Sequence, residues 1–212
     1  PFGRLSRVAE TASILTVSDM IFLATSVTKK LDHYTLPDDT YETGLRDKVL
    51  LSFMYATGAR AQEICDFKVA GLRINDGTAS VTLVGKGAKP RQVGTSLSLA
   101  KVVRNYIKHR HIDGYPERHV FSSQTHERMT ISCIEGIYKK YVAIAKEKHP
   151  GMFLDGHYSP HSMRHSTACH LLEAGVDIMT IKNILGHVSV QTTQIYAEMS
   201  QDSVDKKLKE WN

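Results

Sequence analysis

Between residues 71 and 95 the apolar spacing of the chain changes from a helical period to strand alternation and back again. That change limits the fold more than any other feature. Leu72 and Ile74 lead into Asn75-Asp76-Gly77, a strong tight-turn signal. Ser80-Val81-Thr82-Leu83-Val84 reads as a strand, Gly85-Lys86-Gly87-Ala88-Lys89-Pro90 as a second turn, and Arg91-Gln92-Val93-Gly94 as a third strand. Three short strands joined by tight turns make an antiparallel meander. The expected fold class is therefore mainly α with a small three-stranded antiparallel β-sheet.

Everything around the meander has helical spacing. Ser18 and Asp19 suit the cap of a helix carrying Met20, Ile21, Leu23, Ala24 and Val27. Residues 32–42, polar and containing Pro37, read as a loop. A helix with Leu45, Val49, Leu50, Phe53, Met54 and Ala56 inside follows, stopped at Thr57-Gly58, and a new helix starts near Arg60. Further helices are expected at about 96–110 (Leu97, Leu99, Val102, Val103, Tyr106 and Ile107 inward), 131–147, 161–174 ending at Gly175, and from an Asp177 cap to Gly186. Residues 111–130 read as loop with a short strand at His119-Val120-Phe121. Another helix runs through Tyr196. After about Ser203, Val204, Leu208 and Trp211 share one helical face with lysines opposite.

Two segments carry the chemistry. One is Ala56-Thr57-Gly58-Ala59-Arg60-Ala61-Gln62-Glu63-Ile64. The other runs His161-Ser162-Met163-Arg164-His165, then Leu185-Gly186-His187, then Tyr196, with Gly85-Lys86-Gly87-Ala88-Lys89 lying between the two segments. This ordered set resembles the phage-integrase family of tyrosine recombinases, whose pattern is an Arg, a hairpin Lys, His-x-x-Arg, Leu-Gly-His and a Tyr. The resemblance covers nearly the whole chain and implies the catalytic-domain fold of that family. Each piece alone has a plainer reading. Tyr196 is one of nine tyrosines, Arg60 and Glu63 form an ordinary i, i+3 surface pair, and turn lysines are usually solvated. The Leu-Gly-His to Tyr spacing and the joint order outweigh those readings. The Gly-Lys-Gly turn lacks phosphate-loop spacing. His161 and His165 are i, i+4, but Ser162 stands where a zinc protease carries its glutamate, so His165 is taken as a packing residue.

The residue types fit phosphodiester chemistry on their own terms. A tyrosine hydroxyl can attack phosphorus and form a phosphotyrosyl ester, which conserves bond energy and needs no ATP. Two guanidiniums, Arg60 and Arg164, match phosphate oxygens in forks and stabilise charge on a pentacoordinate phosphorus. No acidic cluster suggests a magnesium site, so a metal-independent reaction without cofactor is expected. The resemblance assigns the remaining roles. It makes Lys86 the general acid for the 5′-oxygen, His161 the proton acceptor for the tyrosine, His187 a hydrogen-bond donor to the scissile phosphate, and Glu63 a support. Lys89 and Arg91 are expected to contact DNA.

A net charge of +5 agrees with a polyanionic partner but does not select one. Cys65, Cys133 and Cys169 form no CxxC pair, which points to reduced thiols rather than a disulfide framework or zinc site. No apolar run reaches membrane-spanning length. Residues 1–16 are expected to be a linker from a missing N-terminal DNA-binding domain, 17–200 the catalytic domain, and 201–212 a tail that the resemblance implies is exchanged between protomers. Without the N-terminal half of the clamp, weak DNA affinity and lost sequence specificity are expected. The expected function is a cytoplasmic, nucleoid-associated integrase of a mobile element. It acts on double-stranded DNA as a homotetramer, with no membrane and no small-molecule substrate. A chromosome-dimer resolvase, a type IB topoisomerase-like relaxing activity and a catalytically silent DNA-binding module are the competing readings.

Overall fold

A computed structural model describes residues 38–85, 87, 89–148, 158–187 and 193. The expected helix through Ser18–Val27, Lys86, the segment through Tyr196, and the proposed linker and tail lie outside the described residues. In chain order the elements are α1 (Asp38–Thr57), α2 (Ala61–Cys65), a 3-10 turn (Val69–Gly71), β1 (Leu72–Asn75), β2 (Thr78–Val84), β3 (Pro90–Thr95), α3 (Leu97–His109), α4 (Ile131–Lys148), α5 (Pro160–Glu173) and α6 (Ile178–Leu185).

The strands form one antiparallel sheet in the order β1-β2-β3. Leu72 pairs with Val81, and Val81 with Val93. That register sends Val81, Leu83 and Val93 into the core. The alternation that identified the strands is therefore the alternation that buries one face.

The central helix, α1, packs against α5, α3 and β3. Val49, Leu50, Phe53 and Met54 are at most 1% exposed. Phe53 stacks near Phe67 and Phe121, with ring centroids 4.6 and 5.7 Å away, geometry that adds to simple burial. Two details differ from the sequence reading. The helix begins at Asp38, so it takes over the second half of the expected 32–42 loop. Ala56, expected inside, is exposed; it sits at the edge of the apolar stripe, while Leu51 and Asp47 are buried. Asp47 is held there by Arg46 and by the Tyr141 hydroxyl, which donates to Oδ2 at 3.1 Å.

Ser96 caps α3 by accepting from the Leu99 N–H at 3.2 Å. Along α3 the inward residues are Ala100, Val103, Tyr106 and Ile107, and Val102, expected inside, is 39% exposed. The expected strand at 119–121 reduces to one bridge, Lys68 to His119, continued by the Val120 N–H donating to the Phe67 carbonyl at 2.9 Å. Arg110 reaches the His119 and Val120 carbonyls at 3.1 and 2.7 Å.

Two features place the site. Helix α5 is buried from Ser162 to Cys169, and its hydroxyls find carbonyl partners: Ser166 donates to the Ser162 carbonyl at 3.0 Å, and Thr167 to the Met163 carbonyl at 3.0 Å and the Tyr55 carbonyl of α1 at 2.8 Å. Ala168 and Cys169 of α5 meet Ile181 and Leu185 of α6 in a second small core. At the end of α1, Gly58 has φ +55°, and a Cβ there would lie 2.6 Å from Leu185 Cδ2. Glycine therefore lets the end of α1 close onto the end of α6. Cys65, Cys133 and Cys169 are free thiols, and burial pushes Cys65 and Cys169 up to about 11. Among the described residues no helix is long and apolar enough to cross a membrane.

Candidate active site

A helix leaves its last carbonyls without intrahelical partners and carries partial negative charge at that end. At the C-terminus of α6 these carbonyls are met by three arginines from three different elements. Arg91, on β3, donates to the Ile184 carbonyl. Arg164, on α5, donates to the Leu185 carbonyl at 2.6 Å and to the Gly58 carbonyl. Arg60, at the start of α2, reaches the Leu185 and Gly186 carbonyls at 3.4 and 3.2 Å. Gly186, at φ +65°, turns the chain so that the Gly186 and His187 N–H groups fold back onto Asn183 and Lys182. The Leu-Gly-His segment is thus pinned by the arginines the sequence singled out.

Glu63 fixes two of these arginines. Its carboxylate is 2% exposed and accepts from the Arg60 backbone N–H at 2.8 Å, Arg60 Nη1 at 3.1 Å, Arg91 Nε at 3.2 Å and Arg91 Nη2 at 2.7 Å. Burial pushes its pKa up, but the Arg91 hydrogen bonds and charge, with the Arg60 N–H and the Arg164 charge, more than offset that and hold it below the ordinary carboxylate value. Glu63 is therefore an anion among three cations.

Arg60, Arg164 and His161 line one cleft of about 280 Å³, with Gln62, Glu135 and Ser159 around it. The Arg164 residue is 2% exposed and forms the floor; the Arg60 side chain is 39% exposed and forms a wall. His161 sits at the rim, held by α5, whose entry is capped by Ser159 and started by Pro160. Desolvation on its inner side, then the charges of Arg164 and Arg60, lower its pKa, so the ring is neutral at pH 7 and able to take a proton. One turn on, His165 presents its ring edge-on to His161 at 4.4 Å between centroids. Burial, His161 and Arg164 bring His165 down to about 4. His187 Nδ1 lies 3.0 Å from Thr193 Oγ1, and burial with the charges of Arg164 and Arg60 brings it down to about 3. Two guanidiniums and a neutral imidazole around one cleft make a receptor for a tetrahedral oxyanion with a proton acceptor alongside.

The structure brings together Arg60, Glu63, His161, Arg164 and His187 from three separate stretches of sequence. Lys86 and Tyr196 lie outside the described residues. The hairpin base next to Lys86 is described: the Gly85 N–H donates to the Lys89 carbonyl at 3.0 Å, and a Cβ on Gly85 would lie 3.5 Å from Glu63 Oε1. Lys89 is exposed there. Arg91 faces inward, with its side chain 12% exposed and its donors on Glu63 and Ile184. The sequence reading did not anticipate that Arg91 joins the Glu63 cluster or that Thr193 holds His187. The Thr193 contact had a signal in the Val-Ser-Val-Gln-Thr-Thr-Gln stretch after Leu-Gly-His. The Arg91 contact had none.

Among the described residues no group of three or more His, Cys, Asp or Glu side chains is placed to hold a metal ion. The Phage integrase family profile matches residues 23–202. The chain is 32% identical over 158 residues to a tyrosine recombinase of Agathobacter rectalis, covering 74% of this chain and 48% of that protein. It is 34% identical over 157 residues to tyrosine recombinase XerA of Pyrococcus furiosus, covering 74% and 51%. The chain spans about half the length of these curated relatives. Among solved structures, XerH recombinase bound to palindromic difH DNA in a post-cleavage complex superposes with a TM-score of 0.76 at 19% identity, over 95% of this chain and 54% of that one. XerA recombinase superposes at 0.71 with 22% identity, over 95% and 66%. These neighbours share the mainly helical fold with its small sheet, and with the profile and the curated relatives they place the chain in the phage integrase family of tyrosine recombinases.

Proposed function

We propose that this chain is the catalytic portion of a site-specific DNA recombinase that cuts and rejoins duplex DNA through a 3′-phosphotyrosyl intermediate. The observation that carries the reading is the convergence of Arg60, Arg164 and His161 on one cleft. The scissile phosphodiester binds there with its non-bridging oxygens on the two guanidiniums and on His187. The Tyr196 oxygen attacks phosphorus as its proton passes to neutral His161. The bond from phosphorus to the tyrosine oxygen forms, the bond to the 5′-oxygen breaks, and Lys86 supplies the proton that the 5′-oxygen takes. A 5′-hydroxyl from a partner strand reverses the sequence and rejoins DNA, so neither ATP nor a metal enters the balance. Glu63 holds Arg60 in place throughout, and Lys89, exposed on the hairpin, contacts the DNA backbone. One preorganised donor aimed at a developing charge is worth about 3–4 kcal/mol in typical mutant data.

Double-stranded DNA as the partner is supported by the DNA-bound neighbours, XerH on difH and a Tn1549 transposon integrase on circular-intermediate DNA. The transposon integrase and the His-Ser-Met-Arg-His-Ser segment support action on a mobile element. The curated XerC- and XerD-named relatives support the second reading, a chromosome-dimer resolvase. Residues 1–16 serve as the linker from a second DNA-binding domain and 17–200 as the catalytic domain. The apolar stripe of Val204, Leu208 and Trp211 in 201–212 docks on a neighbouring protomer, giving a homotetramer on DNA in the cytoplasm. The test is covalent capture from nicked suicide duplexes with a randomised core, with chelator present, by the full-length protein and by Tyr196→Phe. Denaturant-resistant adducts with the first and none with the second support the reading. Adducts with both, or with neither, overturn it.

A further inference from the structure

We propose that Arg91 is a positioning residue for this reaction: it locks the β2–β3 hairpin, which carries Lys86, onto the Leu-Gly-His turn and Glu63. The inference rests on the reading above that Lys86 protonates the leaving oxygen. The geometry is that of a three-way tie. Arg91 leaves β3 opposite Leu83 of β2, close to the hairpin base where Gly85 meets Lys89. Its guanidinium spans two acceptors from two other elements, the Glu63 carboxylate of α2 and the Ile184 carbonyl of α6. Only a planar fork reaches both at once; a lysine ammonium is a single point of charge. The Leu-Gly-His glycine makes room for it, since a Cβ on Gly186 would lie 2.6 Å from Arg91 Cδ and 3.0 Å from Nε. With the side chain only 12% exposed, these donors are committed to protein. A hairpin without this tie has no other described side-chain bond from β3 to α6 or to Glu63. Lys86 then samples positions away from the 5′-oxygen, and a misplacement of about 1 Å costs about 100-fold in rate.

The experiment uses the full-length protein and a duplex captured in the preceding test, in two forms. One carries the natural 5′-bridging oxygen at the scissile phosphate and the other a 5′-bridging sulfur, whose thiolate leaves without needing a proton. Single-turnover adduct formation and salt-dependent affinity are measured for wild type, Arg91→Gln, Arg91→Lys and Lys86→Ala, with thermal melts to identify folded variants. Arg91→Gln, and Arg91→Lys to a smaller degree, should form adduct about 100-fold more slowly on the oxygen substrate. Both should recover to near wild type on sulfur, with unchanged affinity and salt slope. If Arg91→Gln does not fold, Arg91→Lys carries the comparison. A salt slope lowered by about one, with the bound complex reacting at the normal rate, would make Arg91 a DNA contact and overturn the proposal. Equal slowing on oxygen and sulfur overturns it too, because the defect then lies outside leaving-group protonation. Failure of sulfur to rescue Lys86→Ala removes the general-acid assignment itself, and this inference with it.

Discussion

Replacing Glu63 with Gln tests the electrostatic centre of the site, and its cost follows from the structure. The carboxylate is 2% exposed and accepts four N–H bonds, two from Arg60 and two from Arg91. Glutamine keeps the shape but loses the charge and exchanges one acceptor oxygen for a donor NH2. That NH2 faces an arginine N–H wherever it is placed. The Arg91 side chain, 12% exposed, has no water to turn to, whereas Arg60 at 39% has. Breaking a buried ion pair from one side costs about 3–5 kcal/mol; partial rehydration of Arg60 puts Glu63→Gln near the lower end, about 3 kcal/mol. In a chain of this size that is a fall of roughly 10 °C in Tm. Urea unfolding at pH 7 followed by circular dichroism measures it directly. The pH dependence gives a second check. A carboxylate whose folded pKa is depressed contributes stability that is present above its unfolded pKa and lost as pH falls through the folded one. The gap between wild type and Glu63→Gln should therefore narrow below pH about 4.5. A gap under about 0.5 kcal/mol at pH 7, the level of an ordinary surface substitution, or one that does not narrow in acid, would mean that the Glu63 charge does not hold the arginines together.

Gly186→Ala and Gly77→Ala share a left-handed backbone, at φ +65° and +77°, but only at Gly186 would the new Cβ strike Arg91; at Gly77 it meets nothing within 4 Å. Both should lose about 1–2 kcal/mol to backbone strain, and Gly186→Ala clearly more in urea melts; equal losses would contradict the close packing of Arg91. His165, 8% exposed, is held neutral by the fold with its pKa brought from 6.5 to about 4, so the unfolded chain takes up the proton first and stability falls as pH drops through that window. The contribution is about 3 kcal/mol, and His165→Gln should flatten the stability–pH curve between pH 6.5 and 4; an unchanged slope would refute it. Lys89→Ala should lower the salt dependence of DNA affinity by about one and leave the adduct rate of the bound complex unchanged; an unaltered slope would remove Lys89 from the DNA interface.

Much of this was legible in the sequence because the signals were local. Asn75-Asp76-Gly77 and the Gly85–Pro90 turn fixed the meander, and Asp177, whose Oδ1 accepts from Met179 and Thr180 N–H at 3.0 Å, marked the start of α6. Gly175 and Gly186 marked helix ends because both adopt positive φ. Arg60, His161 and Arg164 were named by their motifs, and the fold brought them to one cleft. The start of α1 was misread because Pro37-Asp38-Asp39 fits two descriptions: a polar loop, or a proline entering a helix with acidic residues in its first turn. Ala56 and Val102 were misplaced because periodicity marks a stripe but not how far neighbouring elements cover its edges. The contacts of Arg91 with Glu63 and Ile184 were not legible because their basis is non-local. These two partners stand 28 and 93 residues away from it in the chain, and no spacing rule connects them.

In the proposed reaction Tyr196 becomes covalently joined to a DNA 3′-phosphate. The direct measurement digests a captured adduct with protease and nuclease and sequences the nucleotidyl peptide by tandem mass spectrometry. The expected product is a 3′-nucleotide phosphate on the peptide containing Gln194-Ile195-Tyr196, with the fragment ions placing it on the tyrosine. A nucleotide on any other residue, or one attached through its 5′-phosphate, would contradict the proposed reaction.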